Sequence, residues 1–224
     1  MSTDLLLIRH AQTACSIADR VCGVCEQGIT SVGRAMVASL ATTLADTWAD
    51  AHSSVDEIVT SPEPRTVETA AGLAATLPVN MVADARLSEL GFGVWEGHSI
   101  RCIADTCAYV EWEYDPVLFS PPDGERGAHL LARALSALID YTRSGRTVAF
   151  VSHKHFIRLV TAYAADVPLR RYREITAPVS SVTRLRLTSI GLSVVHGSDV
   201  THLPETWRRD PDHLYAKGPD SEHQ

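Results

Sequence analysis

The stretch Leu5-Leu6-Leu7-Ile8-Arg9-His10 joins an unbroken apolar run directly to an Arg-His pair. Four apolar residues in a row suit a strand that is covered on both faces, as in a parallel sheet between helices. Ligands of such sheets bind just beyond the carboxyl ends of the strands. Arg9 and His10 are therefore expected at a binding edge, where a guanidinium can hold a phosphate and a neutral imidazole can act as a nucleophile. Taken alone, such a pair is more often structural than catalytic.

Two later segments repeat this arrangement of an apolar strand followed by a cationic or potentially cationic residue. Residues 56–62 predict a short strand and a turn, and Arg65 follows in the first turn of a predicted helix. A cation is unfavourable there unless an anion is bound, because the free N–H groups already attract negative charge. Residues 146–152 predict another strand, and His153 follows it as His10 follows the first. Three such junctions on one rim of a sheet would form a pocket for an oxyanion.

Residues 87–98 form a loop that is too rich in glycine for a helix and too apolar for a solvated linker, so we expect it to pack over the site. Glu89 is the candidate general acid, because a carboxyl group among apolar side chains would have a raised pKa. The alternative is a carboxylate that faces solvent. The apolar side chains that would enclose it are Leu87, Leu90, Phe92 and Trp95.

Six short motifs follow one another in a fixed order between about residues 5 and 190. They are Arg9-His10-x-x-Thr13, Ile29-Thr30-x-x-Gly33-Arg34, Thr60-Ser61-Pro62-x-x-Arg65-Thr66-x-x-Thr69-Ala70, Leu87-x-Glu89-x-x-Phe92-Gly93-x-Trp95-Glu96-Gly97, Pro122-x-Gly124-Glu125 and Val151-Ser152-His153-x-x-x-Ile157-Arg158. Together they resemble the signatures of the histidine phosphatases, the phosphoglycerate mutase-like superfamily. The resemblance implies an α/β fold, a three-layer α/β/α sandwich with a mostly parallel central sheet.

The resemblance also implies a metal-independent phosphomonoesterase that acts on a small phosphorylated metabolite through a phosphohistidine. His10 would be the nucleophile, and Glu89 would protonate the leaving oxygen and then activate water. Arg9, Arg65 and His153 would hold the phosphoryl oxygens and stabilise the transition state. No cofactor and no metal ion is implied, because the arginines supply the positive charge. The candidate substrate-binding residues are Ser16, Cys22, Gly23 and Lys154.

The chain departs from the family pattern at three positions. Ala11 replaces the glycine after His10, so the backbone there must accept a Cβ atom. Ser16 stands where the family usually has an asparagine that contacts the phosphate, and Lys154 where it usually has a glycine. Lys154 either adds a charge to the pocket or points away from it. These departures keep a second hypothesis open, a catalytically weak protein that binds phosphorylated ligands.

The segment from Leu90 to Glu125 bears on the substrate. The resemblance is to short family members, such as alpha-ribazole and broad-specificity phosphatases, rather than to phosphoglycerate mutases, whose longer segment carries basic residues for a second acidic group. An isomerase of that type stays an alternative. Because seven acidic residues stand here, a strongly anionic substrate is expected to find poor charge complementarity. The aromatic residues either underlie a helical lid or also line a pocket for a ring-containing leaving group.

Composition indicates one enzyme domain. At 224 residues and 45% hydrophobic content the chain can bury one sizeable core. The net charge of −7 argues against nucleic-acid or lipid-surface partners, and no apolar stretch is long enough to span a bilayer. With no signal-like segment at the start, we expect a cytoplasmic protein. The sequence leaves open whether it forms a homodimer.

The catalytic domain is expected to occupy residues 1–198, followed by a polar tail over 199–224 that lies on the surface or is disordered. Trp207 and Tyr215 could anchor this tail. Core helices are predicted over 30–48 and 126–142, and a closing hairpin over 181–187 and 191–195. The apolar positions of the two helices are Val32, Met36, Leu40, Leu44 and Trp48, and Leu130, Leu131, Ala134, Leu135, Leu138 and Ile139.

Cys22-Gly23-Val24-Cys25 is a CxxC motif, which alone is compatible with a redox pair or half a zinc site. No second CxxC follows, and Cys102 and Cys107 are wrongly spaced for one. A structural zinc would then need distant histidines. Free thiols are the default in a reducing cytosol, and that is what we expect here.

Overall fold

A central sheet of six strands organises the fold. The computed structural model describes residues 2–18, 20–23, 27–49, 55–142 and 145–208. The spatial order of the strands is β3-β2-β4-β1-β5-β6. The first four strands of the chain run parallel to one another, β5 runs antiparallel to β1, and β6 runs antiparallel to β5. The strands are β1 (Thr3–Arg9), β2 (Glu57–Thr60), β3 (Asn80–Ala83), β4 (Thr147–Ser152), β5 (Val182–Thr188) and β6 (Gly191–Asp199).

Helices connect the strands and cover both faces of the sheet. Within the described ranges, three short 3₁₀ helices supplement them at Ala85–Leu87, Gly93–Trp95 and Leu169–Glu174. The α-helices are α1 (Ala14–Ile17), α2 (Ser31–Ala49), α3 (Pro64–Ala74), α4 (Ile100–Ile103), α5 (Cys107–Tyr114), α6 (Gly127–Tyr141), α7 (Lys154–Ala164) and α8 (Glu205–Arg208).

The apolar run of β1 is buried on both sides, as the sequence predicts. Because neighbouring side chains of a strand point to opposite faces, Leu5 and Leu7 pack with α6 and α7, whereas Leu6 and Ile8 pack with α2 and α3. The two apolar clusters lie on opposite faces of one sheet. The predicted three-layer sandwich with a mostly parallel sheet is therefore confirmed.

Both predicted core helices form, but one side chain that was predicted to be in the core is exposed. Met36, Leu40 and Leu44 of α2 are buried, whereas the side chain of Trp48 lies outside the described part of the chain. In α6 the expectation fails at Ile139, whose side chain is 66% exposed. Exposure increases along this face of the helix, from Leu131, which is buried, through Leu135, which is half-buried, to Ile139. The end of the helix therefore extends beyond the core.

Strand register places the two histidines side by side. Arg9 of β1 is paired with Ser152 of β4, so His10 and His153 leave the same edge of the sheet on neighbouring strands. The adjacent pairing of Thr60 with Val151 brings the end of β2 and the start of α3 to that edge as well. The register therefore gathers all three predicted junctions.

Residues beyond β6 pack on the α2 and α3 face. Leu203 is buried there and Trp207 is half-buried against the same cluster, whereas Tyr215 lies outside the described residues. The division at residue 198 stays a prediction. Within the described ranges, no helix combines the length and apolar character that crossing a membrane requires.

Candidate active site

A cavity of about 300 Å³ opens where β1, β4 and the start of α3 meet. Four of the five candidate catalytic residues, Arg9, His10, Arg65 and Glu89, line it. The fifth, His153, is fully buried beside His10, with the two ring centroids 5.4 Å apart. The structure therefore brings together the residues that the sequence singles out.

Two backbone groups fix the position of His10. Its Nδ1 lies 2.8 Å from the carbonyl oxygen of Ala11, and its own N–H donates to the carbonyl of Ser152. Since a carbonyl only accepts, Nδ1 carries the proton and Nε2 keeps its lone pair. Burial, together with the charges of Arg9 and Arg65, holds the pKa of His10 well below its usual range. The ring is therefore a neutral imidazole in mildly acidic solution.

The two guanidinium groups are held by carbonyl oxygens. Arg9 Nη1 donates to Ala177 at 2.7 Å, and Arg65 Nη2 donates to Gly23 at 2.5 Å. Arg65 belongs to the first turn of α3, and only 2% of its surface is exposed. Burial lowers its pKa, but an arginine stays charged at any ordinary pH. Two buried, positively charged side chains thus face one cavity.

Glu89 is buried, and the expected direction of its pKa shift is wrong. Burial alone raises the pKa, but the charge of His155 and hydrogen bonds from that residue and from Leu90 bring it well below the usual range. Its Oε1 accepts from the N–H groups of Leu90 at 2.9 Å and His155 at 3.1 Å, and its Oε2 lies 3.3 Å from His155 Nδ1. The unliganded site therefore holds Glu89 as a carboxylate.

His153 has a carboxylate partner that sequence reasoning missed. Glu63 Oε2 lies 3.1 Å from His153 Nε2, and Ser61 Oγ lies 2.9 Å from the same nitrogen while donating to Glu63. His153 Nδ1 is buried and has no hydrogen-bond partner among the described residues. Burial lowers the pKa of His153, and Glu63 opposes that shift.

Hydrogen bonds to two side chains, Glu96 and Arg133, hold the loops around the cavity in place. The Glu96 carboxylate accepts from the N–H groups of Gly23 and Phe92, so it joins the two loops on either side of the cavity. Arg133 pairs with Glu125 through two 2.8 Å contacts and donates to three carbonyls. Those carbonyls belong to Arg86, Ser88 and Glu89.

The candidate substrate-binding residues fall into two groups. Ser16, Cys22 and Lys154 line the cavity. Ser16 also closes a capping box with Thr13 at the start of α1, so its hydroxyl already has backbone partners. Gly23 is not among the lining residues, and its N–H and carbonyl are engaged by Glu96 and Arg65.

The cysteines differ from expectation at one position. Cys15, Cys102 and Cys107 are free thiols. Cys22 is disulfide-bonded, so the expectation of a free thiol is wrong there. Cys25, the other half of the CxxC motif, lies outside the described residues.

The cover over the cavity contributes aromatic rather than acidic side chains. Phe92, Tyr109 and Trp112 line the cavity, whereas Tyr114 and Phe119 are exposed. None of the acidic residues between Leu90 and Glu125 is among the described lining residues. The expected mismatch with anionic ligands is therefore wrong for the cavity wall, because those carboxylates point elsewhere.

Several lining residues were given no role at the site by sequence reasoning. His155 follows His153 by two residues, and Arg158 stands one turn further on at i+4 from Lys154. Arg20 and Arg173 come from distant parts of the chain. Among the residues that the structure describes, no group of three or more His, Cys, Asp or Glu side chains could hold a metal ion.

Comparison with known proteins decides the family. The sequence profile of the histidine phosphatase superfamily (branch 1) matches residues 5–199. The chain belongs to this superfamily. This histidine phosphatase is 34% identical over 182 residues to a protein of Mycobacterium tuberculosis named acid phosphatase, a match that covers 80% of this chain and 83% of that one.

Two further similarities support the same assignment. The Bifunctional protein Rv2228c of Mycobacterium tuberculosis is 32% identical over 170 residues, which cover 73% of this chain but only 44% of that protein. The structure of YhfR from Bacillus stearothermophilus superposes with a TM-score of 0.80 at 28% identity, covering 89% of this chain and 98% of the other.

Proposed function

We propose that this histidine phosphatase is a metal-independent phosphomonoesterase that forms a phosphohistidine at His10. The observation that carries the proposal is the Nδ1–H bond from His10 to the Ala11 carbonyl, which leaves an Nε2 lone pair in a cavity lined by Arg9 and Arg65. A neutral nucleophile beside two fixed cations suits attack on a phosphate ester, because the cations stabilise charge on the phosphoryl oxygens.

In the first step, Nε2 of His10 forms a bond to phosphorus while the bond to the ester oxygen breaks. That oxygen takes a proton from Glu89 and leaves as an alcohol. Arg9 and Arg65 hold the phosphoryl oxygens, and His153, which is buried beside His10, adds positive charge close to them when it is protonated. In the second step water attacks phosphorus and gives a proton to Glu89. The P–N bond breaks, its electron pair returns to Nε2, and inorganic phosphate is released.

The lowered pKa of Glu89 constrains where the first proton comes from. Glu89 is a carboxylate in the unliganded site, so the proton must arrive with the substrate or be taken up when the substrate binds. A phosphate monoester has a second pKa of about 6, so its monoanion can bring that proton. Binding of the negatively charged phosphoryl group then raises the pKa of Glu89 and favours its acid form. The mechanism therefore favours mildly acidic conditions.

For the substrate we propose a small phosphorylated metabolite, with no nucleic-acid or membrane partner and no cofactor, in a cytoplasmic setting. The relative named acid phosphatase supports phosphatase chemistry, and the cavity of about 300 Å³ supports a small leaving group. The net charge of −7 supports the absence of a nucleic-acid partner. A homodimer stays an open expectation.

The test measures the release of inorganic phosphate from an aryl phosphate in the presence of a chelator. It compares the native chain with the His10→Ala variant. The proposal predicts turnover that survives the chelator and is abolished by His10→Ala. Movement of phosphate between two positions of a sugar acid, without release, would instead favour an isomerase. Thermal protection by a phosphate ester without any turnover would favour a phospho-ligand-binding protein.

A further inference from the structure

The loop that precedes β5 holds both Arg9 and His10 at the end of β1. We call residues 176–181 the support loop. The carbonyl of Ala177 accepts a hydrogen bond from the guanidinium of Arg9 at 2.7 Å. The N–H of Ser180 donates to the carbonyl of His10 at 3.2 Å. A displacement of the support loop would therefore disturb the cation and the nucleophile of the site together.

The backbone of the support loop is strained at Ser180. The N–H of Ser181 donates to the carbonyl of Pro178 at 3.1 Å, which closes a tight turn with Ser180 at its third position. The φ angle of Ser180 is 55–65° on the positive side, at 61°, in the left-handed region that glycine or asparagine usually takes in such turns. A serine keeps this conformation only where its surroundings fix it. The contacts of Ser180 therefore determine the course of the support loop.

The side chain of Ser180 is held by a histidine from beyond β6. Ser180 is fully buried, and its hydroxyl lies 3.2 Å from Nε2 of His202. Burial lowers the pKa of His202 to about 4, so its ring is neutral at neutral pH. His202 therefore holds Ser180 by hydrogen bonding and not by charge.

His202 is itself anchored to the rest of the fold. The hydroxyl of Ser39, on α2, donates to the carbonyl of His202, and the next side chain, Leu203, is buried in the apolar cluster on the α2 and α3 face. The hydroxyl of Ser198, in β6, donates to the carbonyl of Thr176 at the start of the support loop. The chain after β5 therefore fixes the support loop at both of its ends.

We infer that His202 is a positioning residue for the proposed phosphatase reaction. It contacts Ser180 and not the reacting atoms, and it acts through the support loop that holds Arg9 and His10. The inference rests on the proposed function, in which Nε2 of His10 must align with phosphorus. Because a misplacement of about 1 Å slows such a reaction by about a hundredfold, loss of this support should lower kcat more than it raises KM.

The first test is a double-mutant cycle in kcat with His202→Phe and Ser180→Ala. Both single variants remove the same hydrogen bond, so we expect each to lower kcat about tenfold, the effect of one net hydrogen bond on the barrier, with KM changed by no more than about threefold. The double variant should lower kcat no further. Losses that add would overturn the inference, since the two side chains would then act separately. Because they lie on different segments, one single variant decides the matter if the other does not fold.

Two further variants separate positioning from stability. His202→Gln should restore most of kcat, because glutamine offers a neutral hydrogen-bonding group in place of the ring nitrogen. Leu44→Ala is the stability control, since Leu44 is buried in the same apolar cluster as Leu203 and is not among the described residues lining the cavity. It should lower the free energy of unfolding in urea and leave kcat unchanged. An equal loss of kcat in Leu44→Ala and His202→Phe would overturn the inference.

The pKa of His10 gives a second readout, which does not need turnover. Burial and the charges of Arg9, Arg65 and His153 hold this pKa well below its usual range. Release of the support loop admits water and lets Arg9 move away. We therefore expect His202→Phe to raise the pKa of His10 toward its ordinary value.

NMR titration of the histidine ring signals measures this pKa, with the His10 signal assigned by its absence from His10→Ala. His202→Gln and Leu44→Ala should keep the native value. An unchanged pKa of His10 in His202→Phe would overturn the inference, whether or not the native chain hydrolyses esters. A raised pKa in His202→Phe, with no hydrolysis by the native chain, would support the positioning of His10 and contradict the phosphatase.

Discussion

The Glu63 carboxylate lies 3.1 Å from Nε2 of His153, so the second histidine of the site is half of a buried carboxylate–imidazole pair. The other ring nitrogen, Nδ1, has no partner among the described residues. A carboxylate at Nε2 favours the doubly protonated ring, whose positive charge then lies beside His10. Glu63 occupies one of the two unspecified positions between Pro62 and Arg65 in the third motif, so the motif itself does not require this pair.

Replacing Glu63 by glutamine should lower kcat while leaving the fold intact. Glu63→Gln keeps a similar shape but removes the negative charge that supports protonated His153. We expect roughly a tenfold fall in kcat, since one pKa unit corresponds to about 1.4 kcal/mol. The fall should be steepest toward neutral pH, where a less basic His153 loses its proton first. Glu57→Gln, on the half-buried pair with Arg146 away from the cavity, is the control. An unchanged pH profile in Glu63→Gln would show that the pair is only structural.

Removing the carboxyl group of Glu89 should affect poor leaving groups far more than good ones. An alkoxide needs a proton to leave, whereas a nitrophenolate does not. For Glu89→Gln we expect alkyl phosphates to lose roughly 10²- to 10⁴-fold in kcat/KM, which reports the step that breaks the ester bond, and nitrophenyl phosphate to lose much less in kcat/KM. Steady-state rates for the two esters check this. Equal losses would mean that Glu89 acts through the shape of the site and not through its proton.

The pH profile of kcat/KM should have its maximum on the acid side of neutrality. Because burial and Arg9 lower the pKa of His10, its neutral, nucleophilic form persists below pH 6.5. Protonation of His10 should therefore reduce kcat/KM only at a pH well below 6.5. On the alkaline side Glu89 is already ionised, so activity follows the monoanion of the substrate, which declines above about pH 6. Initial rates at subsaturating substrate between about pH 4 and 8 measure the profile. A plateau that extends through neutral pH would contradict a proton delivered with the substrate.

Arg133 should matter for stability because it anchors the segment that carries Glu89. Arg133→Met removes two contacts with Glu125 and leaves the carbonyls of Arg86, Ser88 and Glu89 without this donor. At roughly 1 kcal/mol for each of the three hydrogen bonds to carbonyls, and with little added by the half-buried pair with Glu125, we expect a loss of about 3 kcal/mol in the free energy of unfolding. Urea unfolding measures it. The exposed Arg171→Met should leave the value unchanged, and a similar result for Arg133→Met would refute the anchoring role.

Much of the fold and the inner part of the site could be predicted from local pattern. The apolar run of Leu5–Ile8 dictates a strand buried on both faces, and His10 and His153 each follow such a strand. Parallel pairing then sets the two histidines side by side. Ile139 shows the limit of periodicity, which gives the face of a helix but not where the neighbouring layer ends.

Features assembled from distant segments could not be predicted. The apolar neighbours of Glu89 in the sequence favour a raised pKa, but the fold supplies His155 and two backbone N–H groups, which outweigh burial. The cavity wall likewise takes Lys154 and Arg158 from α7 and Arg173 from the 3₁₀ helix Leu169–Glu174, and the acidic residues of the cover are not among its described lining residues. Charge counted along a segment therefore gave the wrong sign for the cavity wall.

The central claim is that phosphorus becomes bonded to His10 during turnover. Rapid acid-free quenching of the native chain with radiolabelled aryl phosphate, followed by peptide mapping, measures this directly. The account predicts an alkali-stable, acid-labile label on the peptide that contains His10, formed in the presence of a chelator, absent in His10→Ala and longer-lived in Glu89→Gln. Hydrolysis at a normal rate by His10→Ala, with no label on this peptide in the native chain, would contradict it.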